Sequence, residues 1–175
     1  MDPALTADRI EELLRALEAE LRRADVVGEV YIVGGAVLCL ALRARPATRD
    51  IDAHFEPASA IRKAAARVAA EHDVPEGWLN DAAKDFLSSH SAYQPFLTLP
   101  NLRVLTAQPE YLLAMKCLAF RLGAEFHDEA DVRFLLRYLN IDRYDAALDV
   151  ITRYYPRERF PQKAFYALEE LLLST

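Results

Sequence analysis

The run EVYIVGG, Glu29 to Gly35, does most to constrain how this chain can fold. Its continuous β-branched and aromatic character suits a buried strand, and the two glycines end that strand in a turn. GAVLCLALRAR follows with helical patterning and is closed by Pro46, after which RDIDAHF, Arg49 to Phe55, returns to a strand. Pro57 then opens a helix through the alanine-rich ASAIRKAAARVAAEH, a composition suited to packing on a sheet. Strand, glycine turn, helix, strand, helix is an α/β pattern.

The flanking segments extend this centre. A first helix beginning near Thr6 or Asp8 carries Ile10, Leu13, Leu14, Leu17 and Leu21 on one face, as a cover helix would. Asp73 to Ser91 holds a turn around Pro75 and Gly77, then WLNDAAKDFLSS, which reads as a short helix or an irregular flank. YQPFLTL and LRVLTA, joined at Pro100 and Asn101, read as a hairpin. From Pro109 onward the pattern is helical: PEYLLAMKCLAFRLG, DEADVRFLLRYLN, RYDAALDVITRYY and PQKAFYALEELLL. The expected architecture is α/β (α+β), with a core and cover helix over 1–108 and a helical C-terminal subdomain over 109–175. No low-complexity linker separates them, so they read as one folded unit.

At 175 residues the chain suits a single domain with a real core. Its formal charge of −6 argues against broad electrostatic attraction to nucleic acid and leaves only a local basic patch for that purpose. The start, MDPALTADRIEELL, has no signal-peptide layout, and no apolar run reaches the roughly 18 residues of a membrane span. The chain therefore reads as soluble and cytoplasmic, without a membrane partner. Cys39 and Cys117 sit in apolar helical patterns without metal or redox spacing and read as buried free thiols.

Three features carry chemistry. The first joins Gly34 and Gly35 to Asp50 and Asp52. Strand alternation points both carboxylates to one face, where they repel unless a cation such as a divalent metal lies between them. The glycines let the backbone approach a phosphate closely, and the following helix start offers amides to it. Taken singly, the glycines suit a tight turn, and either aspartate suits a loop cap or a pair with Arg43, Arg45 or Arg49. The second feature is Lys116, inside the apolar stripe of Leu112, Met115, Ala119 and Leu122. A lysine there must snorkel, lose its proton, or meet a negative partner, either carboxylates or nucleotide phosphates. The third is Asp128 and Asp131, which share a helix face at spacing i, i+3. Capping and catalysis both suit Asp128. Asp131 is the better candidate to contact Lys116 or Arg121.

Other residues offer less. His54, His72, His90 and His127 lack metal-ligand spacing, and only His54 is positioned to share the aspartate face. Trp78, Tyr154, Tyr155, Phe160, Phe165 and Tyr166 read as core or interface. No Ser-His-Asp or Cys-His arrangement can be argued.

IVGGAVLCLALRARPATRDIDAHF followed by EYLLAMKCLAFRLGAEFHDEADVRFLL resembles the nucleotidyltransferase-fold proteins of the DNA polymerase beta superfamily, in particular the AbiEii-type abortive-infection toxin branch. The resemblance implies a small mixed sheet flanked by helices, with a helical C-terminal part. It implies that Gly34 and Gly35 bind a nucleoside triphosphate and that Asp50 and Asp52 hold Mg2+ or Mn2+. It also implies catalytic roles for Lys116 and Asp131, with Arg49, Arg121 and Asp128 beside them at the nucleotide. The implied reaction moves a nucleoside monophosphate to an acceptor hydroxyl, and leaves room for an RNA end as acceptor and a cognate antitoxin as partner. Two departures stand out. Gly35 occupies a place where the superfamily often has serine, and neither YQPFLTL nor LRVLTA carries the third carboxylate of many members; Asp81 is the substitute at hand. A nucleotide-binding or regulatory module with little or no catalysis is the competing expectation, and an oligomeric scaffold using the aromatic C-terminal helices is a third.

Overall fold

The computed structural model describes residues 4–123 and 126–174. The protein is mixed α/β and divides into two compact units, one of Met1–Asp85 with Tyr93–Ala107, the other of Phe86–Ala92 with Gln108–Thr175. The change of unit after the hairpin falls between Ala107 and Gln108, and the stretch 86–92 belongs with the helices.

In the first unit the chain runs β1 (Leu5–Thr6), α1 (Ala7–Arg23), β2 (Gly28–Val33), α2 (Gly35–Leu40), β3 (Ala47–Thr48), β4 (Ile51–Glu56), α3 (Ala58–His72), β5 (Leu79–Asn80), β6 (Tyr93–Leu99) and β7 (Leu102–Ala107). A five-stranded sheet has the order β5-β4-β2-β7-β6, and β1 pairs with β3 separately. The sheet is mixed: β2 is antiparallel to β4 and parallel to β7, β4 is parallel to β5, and β6 and β7 form the expected hairpin.

Strand register separates the two faces of this sheet. Val30, Ile32, Ala53, Phe55 and Val104 are buried on the face that receives α1 and α3. Gly28 shares that face because a Cβ there would lie 3.0 Å from Ile61 Cδ1 and 3.1 Å from Leu21 Cδ1. The close approach lets both helices lie flat on β2. Helix α1 buries the predicted stripe of Ile10, Leu13, Leu14, Leu17 and Leu21. Thr6 caps it, its hydroxyl accepting from the Arg9 amide at 3.2 Å. Helix α3 meets the sheet through Ile61, Ala64, Ala65, Val68 and Ala69.

Helix α2 is shorter than the predicted segment closed by Pro46. It stops at Leu40 because the chain turns through Arg43 at φ 54°, and the amides of Leu42 and Ala44 return to the carbonyls of Val37 and Leu38. The early exit frees Ala47 and Thr48 to pair with Thr6 and Leu5.

The second unit holds α4 (Pro109–Leu118), α5 (Asp128–Tyr138), α6 (Tyr144–Ile151) and α7 (Gln162–Leu173). Its core draws on Tyr111, Leu112, Leu113, Val132, Leu135, Ile151, Tyr155, Phe160 and Leu168, all buried. The segment 86–92 is tied in by polar bonds: the Ser88 amide donates to Tyr111 Oη at 3.0 Å, and Tyr155 Oη donates to the Phe86 carbonyl. Of the other aromatics, Phe165 is buried, whereas Tyr166 is 64% exposed and lies outside the core. Helix α4 ends five residues before the predicted Gly123, since Phe120 turns inward and the Arg121 amide bonds to a side chain. Ala119 and Leu122 are therefore exposed and do not continue the Lys116 stripe. Cys39 and Cys117 are free and buried, as expected. Among the described residues no helix is long and apolar enough to cross a membrane.

Candidate functional site

The glycine turn and the aspartates meet through strand register. Val33, the last residue of β2, lies opposite Asp52 on β4, so Gly34 and Gly35 leave the sheet beside the Asp52 carboxylate. Gly34 has φ 69° and ψ −150°, a conformation essentially reserved for glycine, and a Cβ there would stand 3.3 Å from Asp52 Oδ2. A Cβ on Gly35 would lie 2.8 Å from Arg45 Nη1 and 3.4 Å from Thr48 Oγ1. The turn thus has a carboxylate on one side and a guanidinium on the other, with bare backbone between.

Asp52 points away from the α1/α3 face, because its antiparallel partner Val33 alternates with the core residues Val30 and Ile32. Asn80 on β5 is its parallel partner and shares that side. Asn80 Nδ2 donates to Asp50 Oδ2 at 3.3 Å, so the residue paired with Asp52 in register also holds Asp50. Thr48 Oγ1 donates to the Asp50 carbonyl at 3.3 Å and steadies the entry into β4. Burial pushes the Asp50 carboxyl above its ordinary value, against the opposing effects of the Asn80 hydrogen bond and nearby Arg49. Arg49 itself is exposed.

Asp81, the expected substitute for a third strand carboxylate, is held elsewhere: it pairs with Arg62 of α3 and lies 4.0 Å from Lys84. The place beside Asp50 belongs to an amide. His54 does share the Asp52 face by alternation, but its Nε2 is 3.1 Å from Glu56 Oε1 and its ring lies against Tyr31. Among the described residues no three His, Cys, Asp or Glu side chains gather as a metal cluster. Two carboxylates supply hard oxygen donors of the kind magnesium takes, since that ion is commonly held by one or two carboxylates with phosphate oxygens and water completing its shell.

The second unit assembles the other predicted group. Lys116, with its side chain 13% exposed, places Nζ 2.8 Å from Asp131 Oδ2 and 3.4 Å from Asp128 Oδ1. The lysine on the apolar face meets carboxylates, and Asp131 is its nearer partner. Asp128 opens α5 yet turns its carboxylate back to the end of α4. Its Oδ2 accepts from the Arg121 amide at 3.0 Å and from Arg121 Nε at 2.9 Å. Burial raises the Asp128 carboxyl, but the Arg121 hydrogen bonds and the Lys116 charge outweigh it and hold the carboxyl below its ordinary value. Arg121 is held correspondingly upward by Asp128. Two cations and two carboxylates balance here and clasp α4 to α5.

Arg45, Thr48 and Asn80 join the glycine–aspartate group, and sequence reasoning does not assemble them as a set. Arg45 is legible there only as a partner for an aspartate, and nothing local ties Asn80 to Asp50, which is 30 positions earlier. No family model, curated protein or solved structure matches the chain.

Proposed function

We propose that the first unit is a magnesium-dependent nucleotidyltransferase that moves a nucleoside monophosphate from a nucleoside triphosphate to an acceptor hydroxyl. The observation that carries this reading is the β2–β4 register, which sets a glycine-only turn against the Asp52 carboxylate. Gly34 and Gly35 let the Asp52 carboxylate and the Arg45 guanidinium approach the turn closely, and Arg45 offers phosphate oxygens a positive charge there. Asp50 and Asp52 are the residues that would hold magnesium, with Asn80 orienting Asp50. Magnesium, when bound, neutralises phosphate charge and helps align the reacting oxygens. As the acceptor oxygen bonds to the α-phosphorus, the bond from that phosphorus to the bridging oxygen breaks, pyrophosphate leaves, and the hydroxyl proton passes to solvent or a neighbouring base. The Lys116, Arg121, Asp128 and Asp131 group enters as the clasp between α4 and α5, because its charges already offset one another.

A nucleotide-binding module without turnover is the second reading, favoured by Asn80 standing where a further carboxylate would assist catalysis. The test incubates the protein with magnesium or manganese, each α-labelled triphosphate, total RNA and a protein extract, beside Asp50→Ala/Asp52→Ala. Label transferred by the parent and absent with the variant supports the transferase. Triphosphate binding without transferred label supports the silent module, and absence of binding overturns both.

A further inference from the structure

The outer face of α5 holds a feature that the glycine–aspartate site does not use. Arg121, Phe126, Glu129, Arg133, Phe134 and Arg137 line an open cleft of about 630 Å³ in the second unit. Arg133 and Arg137 form a row at i, i+4, and Phe134 and Tyr138 form a second row one residue along. The rings of Phe134 and Tyr138 are stacked, with centroids 5.8 Å apart, and Tyr138 is 52% exposed. At the cleft's other side the Arg121 guanidinium lies 4.4 Å from the centre of the Phe126 ring. Asp128 fixes that guanidinium through Nε.

Charge and shape together select the occupant. Among the described residues three arginines and Glu129 line the cleft, and Arg121 is already offset by Asp128, in a chain whose formal charge is −6. Arg133 is 3.4 Å from Glu129, whereas the Arg137 guanidinium has no ion pair among the described residues. Arg137 is therefore the unbalanced cation that an anionic ligand would meet, with Arg133 of an exposed pair beside it. Rings interleaved with guanidinium groups suit unstacked bases joined by phosphates, because every base offers a π-face to an aromatic or an arginine. A duplex keeps its bases stacked inside and offers these rings nothing. We infer that the α5 cleft binds single-stranded nucleic acid, with Arg133 and Arg137 on phosphates and Phe126, Phe134 and Tyr138 as stacking surfaces for bases. Naming this strand as the acceptor of the transfer rests on the reading of the first unit; the binding itself does not.

The test is filter binding of a 5′-labelled 12-nucleotide single-stranded RNA to the full chain, without triphosphate, over a salt series. Arg133→Glu/Arg137→Glu is expected to weaken binding at least tenfold. Arg133→Gln/Arg137→Gln, retained in case charge reversal disturbs folding, should lower the salt slope by about 1.4, at about 0.7 for each phosphate no longer neutralised. Phe134→Ala is expected to weaken binding about tenfold as one stacking surface is removed. Lys163→Glu, an exposed charge change on α7, should bind as the parent does. Single-strand binding by the parent with no transferred label would mark failure of the first-unit reading while this one stands. The inference is overturned if the arginine and phenylalanine variants bind like the parent, or if Lys163→Glu weakens binding equally. It is also overturned if duplex RNA or a 12-residue polyglutamate peptide binds as tightly as the single strand.

Discussion

Replacing Lys116 by methionine keeps much of the side-chain volume and removes only the charge that Asp131 and Asp128 share. Both carboxylates are almost fully buried, and the lysine side chain is 13% exposed, so solvent does little to replace the lost ammonium. Removing one partner of a buried pair destabilises by about 3–5 kcal/mol. Asp128 keeps its bonds from Arg121, which places the loss chiefly on Asp131 and toward about 3 kcal/mol. With a urea dependence of about 2 kcal/mol per molar, that loss moves the unfolding midpoint down by about 1.5 M. Far-UV circular dichroism in urea measures it. The double variant Lys116→Met/Asp131→Leu should recover most of the loss, because hydrophobic replacement of a buried ion pair is often neutral or stabilising. A single variant within about 0.5 kcal/mol of the parent, or a double variant no better than the single, would refute the reasoning, since it would mean that Lys116 reaches solvent and leaves the carboxylates otherwise satisfied.

Gly34→Ala should destabilise by about 1–3 kcal/mol, because alanine must adopt a glycine-only conformation beside Asp52; calorimetry showing an unchanged Tm would contradict that geometry. Thr106 is 1% exposed and its hydroxyl has no hydrogen-bond partner among the described residues, so Thr106→Val is expected to stabilise by about 1 kcal/mol, read as a higher urea midpoint. Asp128 is held below its ordinary value in the folded protein, so its contribution is present above about pH 4 and is lost as pH falls through the depressed folded value. The acid limb of the stability profile should therefore flatten in Asp128→Asn, and an unchanged limb would show that other groups govern it. The Cys117 thiol is pushed up to about 12 by burial, and burial also raises that of Cys39; a thiol reagent at pH 8 should modify neither until urea unfolds the chain.

Periodicity made the long elements legible. The stripe of α1, the alanines of α3, the β6–β7 hairpin and the strand ended by Gly34 and Gly35 each carry enough residues to record their own environment. The two-residue strands β1, β3 and β5 do not, since each is defined by the chain it pairs with. Helix ends at α2 and α4 fall short of the patterning for a related reason: apolar residues continue past Leu40 and Leu118, and nonlocal demands on Ala47 and the Arg121 amide end the helices first. In the candidate site, Asp52 beside Gly34 was readable because neighbouring strands separate them. Asn80 against Asp50 was not, because an asparagine in a turn-rich stretch has no local mark of its partner. The pair Lys116 and Asp131 was legible from one charged residue on an apolar face and one acid in the right phase of the next helix. Arg133, Phe134, Arg137 and Tyr138 have the sequence pattern of an ordinary solvated face, and only the stacking of the two rings sets them apart.

Trp78 donates its indole N–H to the Ala65 carbonyl at 3.0 Å and is 1% exposed. It is the one tryptophan in the chain, two residues before Asn80, whose side-chain amide also bonds to the Gly77 carbonyl at 3.3 Å. The protein therefore carries a single indole, which excitation at wavelengths beyond the absorption of its eight tyrosines isolates, attached to the edge of the sheet that orients Asp50. Its emission spectrum and quenching by acrylamide give a label-free optical signal from that edge alone, uncontaminated by indoles elsewhere. Titrating magnesium or a triphosphate while watching this one emitter would register occupancy before any product forms, and would do so equally well in a protein that binds without turning over.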